Sequence, residues 1–163
     1  MASVQPHAGG RARTAAPWRS FGAAALAGVG LMAAIDTIVF HQLLAWHHFY
    51  DLSTPAVGMA SDGLLQSGYL VALVAGAFLW ADLRRCRELD GGHAAAGLLV
   101  GLGGFQLFDG TVNHKLLGVH DIRYGVENLW AYDLAWIAAA LALIAAGLIA
   151  LALARRSRRG AAR

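Results

Sequence analysis

Four long apolar stretches alternate with short polar connections along the chain, at about Phe21 to Trp46, Gly63 to Leu83, Ala94 to Leu117 and Leu129 to Ala154. A helix needs about 20 predominantly apolar residues to cross the hydrocarbon core of a bilayer, and each stretch meets that length. The pattern predicts an all-α protein, a bundle of four transmembrane helices. Residues 1–20 form a basic N-terminal tail, 21–154 the membrane domain and 155–163 an Arg-rich tail, with both tails expected to be flexible. A basic start before an apolar run also suits a secretory signal peptide. The run is longer than such a segment needs, and the polar motif at its end argues that it is retained.

Composition agrees with a membrane protein. Hydrophobic residues make up 58% of the 163-residue chain and charged residues 14%, against roughly 25% charged in soluble domains. The net charge of +3 does not form a nucleic-acid-binding face, because the positive residues sit in blocks between apolar runs. Arg11, Arg13 and Arg19 precede the first span, Arg84, Arg85 and Arg87 join the second to the third, and Arg155, Arg156, Arg158, Arg159 and Arg163 follow the fourth. Only Lys115 and Arg123 fall on the other side, so the positive-inside rule puts both termini in the cytoplasm. Trp18 and Trp80 are expected at the inner interface, and Trp46, Tyr50, Tyr69, Tyr124 and Trp130 at the outer one. The lone Cys86 excludes an internal disulfide. His7 and His93 carry no expected role beyond the tail and the inner interface.

The first and third spans match each other at an offset of 73 residues. Asp36-Thr-Ile-Val-Phe-His41-Gln-Leu-Leu-Ala-Trp-His47 aligns with Asp109-Gly-Thr-Val-Asn-His114-Lys-Leu-Leu-Gly-Val-His120, with six identities in twelve positions. Asp62 and Asp133 open the second and fourth spans in turn. The chain therefore reads as two helical hairpins in parallel orientation (about 21–83 and 94–154), related by a pseudo-twofold axis along the membrane normal.

Ionisable groups at membrane depth are costly and need partners. Asp36 and Asp109 lie inside their spans, and the nearest basic residue in a span, Lys115, sits at the outer end of the third. His41, His47, His48, His114 and His120 fall in the same outer layer. Acidic and imidazole groups repeated at identical spacing point to a metal site drawn from Asp36, His41, His47, His48, Asp62, Asp109, His114, His120 and Asp133. Helix geometry resists this, since residues five apart stand about 140° apart around an α-helix. A one-residue π-bulge would bring Asp36 toward His41, and Asp109 toward His114; Gly110 eases such a distortion. The Asp residues can instead orient His ligands by accepting their other N–H. Imidazole with carboxylate suits copper, zinc, iron or manganese rather than calcium or magnesium, and the lack of Met or Cys donors disfavours a Cu(I) carrier.

The chain resembles the bacterial predicted membrane proteins grouped as domain-of-unknown-function family 2243. The resemblance covers about Gly22 to Ala154 and rests on the Asp36–His41–Trp46-His47-His48 segment, the Ser61-Asp62-Gly63 turn and the Phe108-Asp109-Gly110…His114…His120 segment. It implies the four-helix membrane fold and the importance of these polar residues. It also implies an association with cytochrome oxidase assembly components, which suits metal delivery.

The leading expectation is thus a membrane metal-binding protein with its site near the extracytoplasmic face, handling copper for respiratory oxidase assembly or serving a metal-dependent redox role. One alternative is a haem b protein with His41 and His114 as axial ligands; another is a proton or cation transporter using the polar cluster. No Walker loop, dinucleotide fingerprint, H-E-x-x-H motif, nucleophile elbow or set of desaturase histidine boxes is present.

Overall fold

A computed structural model describes residues 16–161, so His7 and most of the N-terminal tail lie outside the described residues. Those residues form four long helices, each long and apolar enough to cross a membrane. Helix α1 (Pro17–Asp36) continues without a break into a π-helical segment, Thr37–Leu43. Helix α2 spans Pro55–Arg85, α3 spans Gly91–Phe108 and continues into a second π-helical segment, Asp109–Leu117, and α4 spans Leu129–Ala161.

Two helix limits differ from those the hydropathy pattern predicts. Helix α2 begins at Pro55, so Ser61-Asp62-Gly63 is helical rather than a turn. The start signal is Thr54-Pro55: the Thr54 hydroxyl caps the Val57 N–H, and proline at the first helical position needs no hydrogen-bond donor. At the other end of the chain, α4 runs through Arg155–Arg159 to Ala161 in place of a flexible tail. Arginine favours helix, and positive charge in the last turns complements the helix dipole. Tyr69, expected at the outer interface, is buried instead.

The helices pack in the order α2, α1, α3, α4, with α1 and α3 as the central pair and each outer helix lying on one inner neighbour. Small residues let the central backbones approach closely. A Cβ on Gly97 would lie 2.1 Å from the Phe21 carbonyl oxygen, one on Gly101 2.2 Å from that of Ala25, and one on Gly28 2.4 Å from that of Leu98. In a membrane, where lipid is as apolar as Leu, such close backbone packing is the main source of helix association.

The arginine end of the bundle is closed by polar contacts. The Ala16 N–H donates to the Glu88 carbonyl, Arg19 pairs with Glu88 at 2.9 Å, and the Asp90 N–H donates to Ser20 Oγ. Asp90 caps α3 through the His93 N–H and pairs with Arg158. His93 is buried there against Asp90 rather than lying at an interface with lipid. The opposite, histidine end carries both π-helical segments and the chemistry.

Candidate metal centre

Each π-helical segment changes which side chains share a face. The wider turn brings residues five apart nearly into line, where an α-helix would separate them. Asp36 Oδ2 accordingly stands 3.5 Å from His41 Nε2, and Asp109 Oδ2 stands 2.9 Å from His114 Nε2. Both segments end alike. Ala45 (φ 48°) and Gly118 (φ 57°) adopt the left-handed conformation. The next N–H in each, Trp46 and Val119, donates six residues back to the carbonyls of Phe40 and Asn113 at 2.8 and 3.1 Å. A left-handed residue reverses the chain beyond a helix end. Here it returns the following histidine, His47 or His120, over the end of the helix.

The two loops then fix each other's histidines. His47 Nδ1 is 2.8 Å from the Ile122 carbonyl oxygen, and His120 Nδ1 is 2.9 Å from that of Phe49. The donor and acceptor positions of one contact and of the other are separated by the same 73 residues that separate the two motifs. A carbonyl oxygen only accepts, so Nδ1 carries the proton in both rings and Nε2 presents its lone pair to the interior. His41 follows the same rule with a carboxylate: its Nδ1–H donates to Asp62 Oδ1 at 2.7 Å. Three imidazoles thus have one nitrogen engaged by an outer partner and the other turned inward, as in metal-ligating histidines.

The four rings meet in one place. His41 and His47 have centroids 4.4 Å apart, His114 and His120 4.6 Å apart, and His47 stacks on His120 at 4.5 Å. All four, with Asp36 and Asp109, are at least 95% buried. Among the described residues, Nε2 of His41, His47 and His120 and Oδ1 of Asp36 have no hydrogen-bond partner, and His114 Nε2 and Asp109 Oδ2 face only each other. Ligand atoms lie within 4.8 Å of one another in each of two groups, Asp36–His41–His47 and His47–His114–His120. Among the described residues no Lys or Arg forms an ion pair with Asp36 or Asp109.

Burial, with repulsion from the His120 and His41 rings, pushes the His47 imidazole down to about 3, outweighing its bond to Ile122. Burial also lowers His120, against the pull of Asp109. Both imidazoles are therefore neutral at physiological pH, the form in which histidine binds a metal.

The other residues singled out in the sequence occupy an outer layer. Asp62 accepts from His41, from His48 Nδ1 at 2.7 Å and from the Phe49 N–H at 2.7 Å. His48 is partly exposed and reaches the cluster only through Asp62. Asp133 pairs with Lys115 and does not join the inner group. Sequence reasoning did not single out Asn113, whose amide donates to Asp109 Oδ1 at 2.8 Å. It also did not find the carbonyls of Phe49 and Ile122, because a backbone acceptor leaves no mark in residue type. Gly110 serves close packing, since a Cβ there would lie 2.6 Å from the ring of Trp136.

Two cavities flank the cluster. A polar vestibule of about 560 Å³, lined by His47, His48, Asp51 and Tyr124 among others, opens at the loops. An apolar cleft of about 400 Å³ lies between α1 and α4, walled by Phe40, Trp46, Tyr132 and Trp136.

Comparison with known families places this arrangement. The model for "Predicted membrane protein (DUF2243)" matches residues 23–154, which include the four helices' apolar parts and every residue of the cluster. The chain belongs to the DUF2243 family. No curated protein and no solved structure matches it. Membership supports the membrane assignment and attaches no activity to the DUF2243 cluster.

Proposed function

We propose that this DUF2243 protein binds transition-metal ions through Asp36, His41, His47, Asp109, His114 and His120. The observation that carries the reading is the convergence of buried nitrogen and oxygen donors that have no hydrogen-bond partner. An ionised carboxylate taken from water costs several kcal/mol even after relaxation, while an ordinary hydrogen bond returns about 1 kcal/mol. Asp109 has Asn113 and His114 at 2.8 and 2.9 Å, but Asp36 has no side-chain nitrogen closer than His41 at 3.5 Å, so hydrogen bonding alone does not balance the cost of the pair. A divalent cation balances it and occupies the lone pairs that the outer partners turn inward. Ligands on one ion with bonds of about 2.1 Å lie about 3.0–3.4 Å apart in octahedral or tetrahedral geometry. The 2.9 and 3.5 Å approaches of the two Asp–His pairs lie within about 0.1 Å of that range. The donors are nitrogen and oxygen only, which suits zinc, iron, manganese or Cu(II).

In this reading both termini lie in the cytoplasm of a bacterial inner membrane and the cluster lies near the extracytoplasmic face, as the arginine distribution supports. The two π-helical segments, the two left-handed residues and the reciprocal loop contacts support an internal repeat. A role in copper supply to respiratory oxidase is a narrower form of the proposal, and rests on the resemblance alone. Bis-histidine haem fits less well: the stacked His47 and His120 rings occupy the space between His41 and His114 that a porphyrin would need. Transport fits less well too, because close glycine packing between α1 and α3 fills the bundle below the cluster.

Elemental analysis of purified wild type and of the His41→Ala/His114→Ala double variant, alongside an optical spectrum, tests the proposal. We expect stoichiometric transition metal in the wild type, its loss in the variant and no Soret band. Wild-type protein that takes up no metal would overturn it.

A further inference from the structure

We infer that the cluster holds two divalent transition-metal ions, one on Asp36, His41 and His47 and one on Asp109, His114 and His120, each with coordination positions left open. This rests on the metal-binding reading and adds the number of ions and the class of molecule they accept.

The first argument is one of reach. Around a single ion with bonds of about 2.1 Å, even opposite ligands lie only about 4.2 Å apart. Six donors serving one ion would therefore form one mutually close group. Five of them form two groups instead, each within 4.8 Å and sharing only His47, while Asp109 lies in neither group and stands beside His114 at 2.9 Å. Since its Nδ1–H is held by Ile122, His47 has a single lone pair and ligates one ion at a time.

The second argument is the order of the rings. His41 packs on His47 at 4.4 Å, His47 stacks on His120 at 4.5 Å with planes 10° apart, and His120 packs on His114 at 4.6 Å. His41 and His114 are the outer members, and the stacked pair lies between them. Each outer histidine has its own carboxylate, Asp36 at 3.5 Å or Asp109 at 2.9 Å. Asp109 Oδ1 is also 3.8 Å from His120 Nε2, which completes the second set. Each set draws all three donors from one copy of the D-x-x-V-x-H-x-L-L-x-x-H pattern.

Two imidazoles and one carboxylate leave part of a metal's coordination sphere unfilled, as in catalytic zinc sites and non-haem iron sites. The vestibule at the loop surface is lined in part by His47, one of the ligands of the first set. The open positions therefore take water or hydroxide at rest and accept small exchangeable ligands such as azide.

The test is a Co(II) titration of the full-length, metal-stripped protein in detergent, followed by visible absorption, with azide added at the end point. We expect saturation at two equivalents, a spectral change with azide, and saturation at one equivalent in both Asp36→Asn and Asp109→Asn. Wild-type saturation at one equivalent would overturn the two-ion inference while leaving metal binding intact, whereas absence of any Co(II) spectrum would overturn both. Two equivalents with no response to azide would refute the open positions. The wild-type end point decides the number of ions even if neither variant folds.

Discussion

Asp62 and Asp133 lie in the first turns of the second helix of each hairpin, yet their surroundings predict opposite consequences when each is replaced by Ala. Asp62 holds the Nδ1–H of His41 and of His48 and the Phe49 N–H, each at 2.7 Å. Asp62→Ala frees the His41 ring to turn and leaves its Nδ1–H unsatisfied beside a buried cluster. Loss of such an orienting partner costs about 10- to 100-fold in metal affinity, or about 1.4–2.7 kcal/mol. Asp133, whose side chain is mostly buried, pairs with the partly exposed Lys115 and touches none of the clustered histidines, so its removal takes no support from the ligands. Asp133→Ala should leave metal affinity within about twofold of wild type. Competition between each protein and a chromophoric zinc chelator measures both affinities, with helix content and monodispersity checked alongside. Asp62→Asn, whose single oxygen can still accept from the His41 ring and the Phe49 N–H, should fall between wild type and Asp62→Ala. Wild-type affinity in Asp62→Ala, or an equal loss in Asp133→Ala, would refute the reasoning that separates an orienting layer from the surface.

Three further outcomes follow from the packing and the charges. Gly97→Ala places a methyl 2.1 Å from the Phe21 carbonyl oxygen, so α1 and α3 must part by about 1 Å to reach a carbon–oxygen contact of about 3.3 Å. Overpacking of this kind costs about 1–3 kcal/mol, to be read by thermal unfolding in detergent; Gly63→Ala, which meets nothing within 4 Å, should not destabilise. Ala45→Gly should raise stability by up to about 1 kcal/mol and Gly118→Ala lower it by about 1–2 kcal/mol, because both positions have positive φ. Burial acts to raise the Asp90 carboxyl, but hydrogen bonds from the His93 N–H, Arg158 and the His93 ring outweigh it and hold Asp90 below the usual carboxylate range. A depressed carboxylate contributes stability above its unfolded pKa of about 3.9 and loses it as pH falls through the folded value. Asp90 should therefore contribute nothing to any change between pH 7 and 5. Below about pH 4, wild type should lose stability more steeply than Asp90→Asn, as thermal melts at each pH would show.

The four spans are legible because membrane helices must satisfy their backbone internally and face lipid with apolar side chains, which leaves long hydropathic runs. The cluster is legible because Asp36, His41 and His47 recur as Asp109, His114 and His120, and because charge at membrane depth demands a reason. The π-helical geometry is legible only indirectly: ligands five residues apart require it, although no residue type encodes it. The start of α2 was available in Thr54-Pro55, a cap followed by proline, but the polar Ser61-Asp62-Gly63 obscures it to a hydropathy reading. What separates Asp62 from Asp133 is tertiary. One faces His41 across a helix contact and the other meets Lys115 at the surface, and spacing along the chain carries neither fact.

The identity of the atoms around the bound metal tests the central claim most directly. X-ray absorption at the metal edge of protein loaded with Zn(II) or Co(II) should show nitrogen and oxygen neighbours at about 2.0–2.2 Å. It should also show the outer-shell scattering of imidazole rings, and that scattering should weaken in His41→Ala and in His114→Ala. Loaded protein whose metal shows no imidazole scattering, or whose spectrum is unaltered by both substitutions, would contradict the assignment of the histidine cluster as a metal centre.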